Sequence, residues 1–230
     1  MDSNKKTARI AGVFYLLVGI FGGFAEGYVE PKMYVAGNAA ATAANVVANA
    51  GLVRMGVIAD LLDQTFFVFL ALTLYTLLKD FHKPMARAML VFVILAAGIG
   101  CLNTIFEFEG MRVATGAINF GITGTNSAVL LLLDAQHYGL FTAQIFFGLW
   151  LAPLGYLAIK SRWFPKSLGI LLIVGTVCYL IDFLATFAVP DFGNAIHGYI
   201  TIPCAFAECW MVFYLLVVGV RTPKTPAYAI

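Results

Sequence analysis

Six stretches of the chain are apolar on nearly every helical face, at about residues 8–28, 52–78, 86–108, 138–159, 167–189 and 199–220. A helix crossing a bilayer needs roughly 20 mostly apolar residues, and each stretch reaches that length. In lipid a helix satisfies its own backbone hydrogen bonds. What remains between the stretches is too short for a soluble domain. The pattern therefore predicts an all-α fold: one polytopic membrane helix bundle of six transmembrane helices, with residues 1–230 forming a single domain.

Two connections between spans are long, at about 29–51 and 109–137. In the first, Pro31 is expected to break the chain after Glu30. Asn38 is placed to cap a helix over Ala39–Ala50, and Gly51 to stop it. That reads as a short helix over the outer mouth of the bundle. The second connection carries Gly110, Gly116, Gly121 and Gly124, after which Asn126 or Ser127 could cap Ala128–Asp134. So short an apolar stretch is expected to be interfacial or re-entrant. Gly19, Gly23 and Gly27 recur every four residues on span one, and Gly148 and Ala152 do so on span four. Small residues at that spacing let helices approach closely. We expect packing inside the bundle, with a homodimer interface as the alternative use. The two halves show no convincing residue-level repeat.

Composition agrees: 61% of residues are hydrophobic and 11% charged, against about 45–50% and about 25% in soluble domains. Charge sets the orientation. Of the 14 basic residues, all but Lys32, Arg54 and Arg112 lie on the side of the N-terminus, whereas of the 12 acids only Asp2 and Asp80 do. The net +2 thus divides into +9 on one face and −7 on the other. By the positive-inside rule both termini are cytoplasmic, in a plasma membrane. The basic face is what insertion demands, so it signals no nucleic-acid partner; the partner it implies is the lipid bilayer. Lys5 and Lys6 before an apolar core mimic a signal peptide, but the run is long and five more spans follow. Cys101, Cys178, Cys204 and Cys209 all fall within spans without C-x-x-C spacing and read as packing residues.

The chemistry lies in polar residues inside the spans. Asp60, Asp63, Asp182 and Glu208 are carboxylates at membrane depth. A charge there costs roughly 2.5–3.5 kcal/mol on insertion scales and needs a proton, a counter-charge, a bound ion or water. Asp60, Asp63 and Gln64 share one helix face, as do Asn103 and Glu107. His137 and Gln144 line one side of span four, and His197, Thr201, Cys204 and Glu208 form a stripe on span six. Arg54, at the mouth of span two, is expected to pair with Asp60 or another acid. Candidate ligand-binding residues are therefore Arg54, Asp60, Asp63, Gln64, Asn103, Glu107, His137, Gln144, Asp182, His197 and Glu208. If their stripes converge, they line a polar cavity that opens outward.

Several segments resemble the bacterial membrane proteins grouped as domain-of-unknown-function family 4386. They are the opening Ala8-Arg9-Ile10-Ala11-Gly12-Val13-Phe14-Tyr15-Leu16-Leu17, the stretch Gly37–Asn45, Arg54 with Ala59-Asp60-Leu61-Leu62, His137-Tyr138-Gly139 with Phe146-Phe147-Gly148-Leu149, Tyr179-Leu180-Ile181-Asp182, and Glu208 with Trp210. The resemblance covers nearly the whole chain. It implies six spans, singles out Arg54, Asp60, His137, Asp182 and Glu208, and carries no reaction.

No G-x-S-x-G, P-loop or H-E-x-x-H occurs. Three readings follow. The first is binding or transport of a small cation, proton or amphiphile. The second is a metal-dependent intramembrane enzyme acting on a lipid, with His137, His197 and carboxylates as ligands and a third histidine missing. The third is a non-catalytic partner or sensor subunit whose acids form a packing network. Catalytic residues, metal and cofactor are unassigned by the sequence.

Overall fold

The computed structural model describes residues 3–118 and 124–221. Asp2, Gly121 and Lys224, used above, lie outside them. The described chain is helical, and six helices are long and apolar enough to cross a membrane: Ser3–Met33, Ala50–Leu78, Lys83–Ala114, Thr125–Ser161, Lys166–Ala188 and Pro190–Val217. They are spans one to six. Their lipid-compatible faces carry large exposed apolar side chains such as Leu131, Phe206 and Phe213. In water such faces would mark an interaction surface.

Several spans run longer than the apolar windows, for local reasons. Span one does not break at Pro31. It widens into one turn of π-helix over Ala25–Val29, in which Glu30 N–H reaches back to Ala25 O, and then continues through Glu30–Met33. The wider turn makes room for a proline ring that would otherwise meet the preceding carbonyls. Asn38 caps the next helix as expected, its Oδ1 accepting from Ala41 N–H at 3.0 Å. That helix spans Ala39–Ala48 and ends at Asn49, so Gly51 lies inside span two. Ala128–Asp134 is no separate interfacial helix either; it forms the first turns of Thr125–Leu149. Span six begins at Pro190, directly after Val189, and is interrupted at Thr201 before Pro203. Gly193 permits this sharp reversal, because a Cβ there would lie 2.7 Å from the Thr186 backbone.

The chain packs as two compact units. The first comprises Met1–Phe14, Phe69–Val93 and Phe147–Ile230. Within it, spans four and five meet where Gly155 and Gly169 oppose each other: a Cβ on either would come within 2.5–2.7 Å of the other's carbonyl oxygen. In lipid, where apolar burial drives little association, such backbone approach is what holds helices together. Gly148 likewise packs, against Tyr179. Tyr214 OH bonds Trp163 O at 3.0 Å and fastens span six to the connection before span five.

The second unit comprises Tyr15–Val68 and Ile94–Phe146. Its apolar core joins Val29, Met33, Val53, Met111, Val129 and Leu133 to Ala43 and Val46 of the short helix. The Gly19, Gly23 and Gly27 stripe does not pack in the bundle as expected. A Cβ on any of the three would meet nothing within 4 Å among the described residues.

Candidate functional site

In the second unit, spans two and three run antiparallel, and glycines fix their register. Gly56 faces Glu107, a Cβ there lying 3.2 Å from Oε1, and Gly100 faces the Gln64 carboxamide. This register sets Asp60 level with Asn103. The Asp60 and Glu107 carboxyl groups lie close enough to interact directly with each other. One turn along, Gln64 Nε2 donates to Asp63 Oδ2 at 2.8 Å. Span one supplies Gly22 against Asp63, and span four supplies Gly139 against Asn103. Glu107, Gln64 and Asn103 are all buried. Each lies over a glycine of a neighbouring helix, so the polar layer exists because the backbones beside it carry no side chain.

The end of span one closes on span four. His137 Nδ1 lies 2.7 Å from Glu30 Oε1, Tyr34 OH donates to Asp134 Oδ1 at 2.6 Å, and the Tyr34 and His137 rings stack at 5.0 Å. Burial raises the Tyr34 phenol well above its usual range, and the hydrogen bond to Asp134 adds to this. Glu26 lies one turn beyond Gly22, on the face that meets Asp63, and interacts electrostatically with Asp60, Asp63 and Glu30. Its side chain is nonetheless exposed. Arg54 makes no ion pair or hydrogen bond among the described residues and is exposed. Six residues of α-helix separate it from Asp60, which turns the two about 120° apart. Gln144 is buried.

The first unit holds a separate constellation. Asp182 is fully buried and its Oδ2 lies 2.8 Å from His197 Nδ1. Tyr179 OH donates to Glu208 Oε1 at 3.0 Å, and Cys204 Sγ donates to Gly175 O at 3.3 Å. The sequence-derived residues thus fall into two groups. Arg54, Asp60, Asp63, Gln64, Asn103, Glu107, His137 and Gln144 belong to one unit; Asp182, His197 and Glu208 belong to the other.

Sequence reasoning passed over Glu26, Glu30, Tyr34 and Asp134. A signal was present: Gly22, Glu26, Glu30 and Tyr34 recur every four residues. A span assigned to end near residue 28 hid it. Among the described residues, no three of His, Cys, Asp or Glu are disposed to hold one metal ion.

The sequence model of the family described as "Domain of unknown function (DUF4386)" matches residues 10–219. A relative from Archaeoglobus fulgidus, described as "Uncharacterized protein", is 28% identical over 152 residues, covering 66% of this chain and 76% of that protein. No solved structure matches the chain.

Proposed function

The chain belongs to the DUF4386 family, and from that premise we propose that it binds or transports a small cation, proton or amphiphile in a carboxylate-rich polar cavity opening to the outer side of a plasma membrane. The observation that carries this reading is the surplus of carboxylate in one unit. Asp60 and Glu107 interact directly, and Glu26, Glu30 and Asp63 lie within electrostatic reach of one or both or of each other. No lysine or arginine pairs with Glu26, Asp60 or Glu107 among the described residues. Carboxylates concentrated at membrane depth suit cations and proton relays. A purely structural network would instead supply its own counter-charges, because unpaired buried charge is costly.

Access is argued from Glu26. Its carboxylate is exposed and lies one turn from Gly22, which meets Asp63, and this supports an entry beside the cluster. Site residues come from the C-terminal part of span one, the N-terminal parts of spans two and four, and the C-terminal part of span three. With cytoplasmic termini, all of these lie toward the outer side.

The test uses the purified full chain in detergent and in proteoliposomes. Saturable thermal stabilisation by an alkali or ammonium cation, or proton flux reported by an entrapped pH dye, is the expected result. Asp60→Asn and Glu107→Gln should abolish it while the protein still folds. Asp182→Asn and Glu208→Gln report whether the second constellation takes part. A wild-type chain that responds to no cation and passes no protons would overturn the reading.

A further inference from the structure

We propose that Gln64 and Asp63 form the ligand set for one alkali-metal cation stripped of most of its water. The proposal rests on the cation reading above and names the cargo within it. Gln64 is 3% exposed, and its Nε2 donates to Asp63 Oδ2. A carboxylate oxygen only accepts, so this bond fixes which end of the carboxamide is nitrogen. The other end, Oε1, is a buried carbonyl oxygen with no hydrogen-bond donor. Buried acceptors are nearly always satisfied, and one that is not calls for an explanation. One turn of span three from Gly100, the buried Asn103 leaves Nδ2 without an acceptor.

Three features choose an alkali ion from among the cations. The space is narrow: Gly100 brings bare backbone against Gln64, where a Cβ would lie 2.6 Å from Cδ, and Gly22 does so against Asp63 at 3.4 Å. Packing this close favours a bare ion over an alkylammonium. The charge of the ligand set itself is single: Asp63 brings one carboxylate and Gln64 a neutral amide. The ligands are oxygens, and no group of three or more His, Cys, Asp or Glu stands ready for a divalent or transition metal among the described residues. Amide and carboxylate oxygens replace the hydration shell of such an ion, as carbonyls do in ion-selective filters.

The experiment titrates the full chain in nanodiscs with LiCl, NaCl and KCl at ionic strength held constant by N-methylglucamine chloride. Calorimetry and thermal unfolding are the readouts. One alkali ion should bind per chain, with a saturable rise in Tm. Gln64→Met, which keeps volume and removes the oxygen, should weaken the apparent affinity at least tenfold. Gln64→Glu, which keeps an oxygen there, should retain binding. Absence of alkali binding to the wild type overturns the proposal even if neither variant folds, and so does a Gln64→Met titration that matches wild type. If tetramethylammonium or proton flux responds while alkali ions do not, this proposal fails and the broader reading stands. If nothing responds, both fail.

Discussion

His197 Nδ1 sits 2.8 Å from Asp182 Oδ2, yet the two side chains differ sharply in exposure: the carboxylate is completely buried and the imidazole is half exposed. The pairing holds the start of span six against span five. Removing the ring takes a hydrogen-bond donor from a buried acceptor. His197→Ala should therefore cost about 1–3 kcal/mol. Asp182→Asn should cost less, because an amide of the same shape still bonds the ring. Thermal unfolding of the two variants checks the order. A harmless His197→Ala would show that the contact contributes nothing.

Gly98 and Gly100 lie two residues apart on span three and make opposite predictions. A methyl at Gly98 meets nothing within 4 Å, whereas at Gly100 it lands within 2.6–2.9 Å of the Gln64 carboxamide. Gly98→Ala should be neutral or mildly stabilising, by up to about 1 kcal/mol. Gly100→Ala should overpack the interface and cost about 1–3 kcal/mol. Denaturation of both variants in one detergent provides the comparison, and equal effects would remove the close approach on which the polar layer depends.

The same interface shows how much was legible in the sequence. The six spans follow from apolar runs alone, because lipid selects for length and hydropathy residue by residue. Asp60, Asp63 and Gln64 follow from helical spacing on one span. Span ends were harder. Glu30, Asp134 and His137 look like loop residues in a local window, yet each is satisfied by a partner about 100 residues away in sequence. A polar residue ends a helix in lipid only when it has no such partner. The glycine stripe misled for the converse reason: spacing shows that a backbone can be approached, not that another helix approaches it. Which compact unit holds Asp182, His197 and Glu208 depends on tertiary packing that periodicity does not encode.

Tyr34 gives a prediction in pH. Its phenol is raised by burial first and by its bond to Asp134 second. In the unfolded chain a tyrosine loses its proton near pH 10. Above that, the unfolded state binds fewer protons than the folded state, so stability falls with rising pH. The contribution is fully present below about pH 10 and is lost as pH climbs toward the folded value. Tyr34→Phe should be less stable than wild type at neutral pH, by about 0.5–1.5 kcal/mol for one hydrogen bond. It should also show a shallower alkaline decline. Parallel curves for the two proteins between pH 8 and 11 would mean that Tyr34 does not keep its proton in this way.

Orientation is testable through the charge division. With +9 on the face bearing Lys79, Lys83, Arg87, Lys160, Arg162 and Lys166, and −7 on the other, the short basic connections should stay inside. A fluorescent reporter fused after Ile230 should then mature and glow, since it folds in the cytoplasm, while an alkaline phosphatase fused there should stay inactive. A phosphatase inserted at Thr115, between spans three and four, should be active. The reverse pattern would put Glu26, Glu30 and Asp60 on the cytoplasmic side. Any cargo would then enter from within, and the surplus carboxylate would face the interior of the cell instead of the medium. Replacing Lys79, Lys83 and Arg87 with alanine should weaken the bias measurably, because charges in short loops next to span ends dominate the choice.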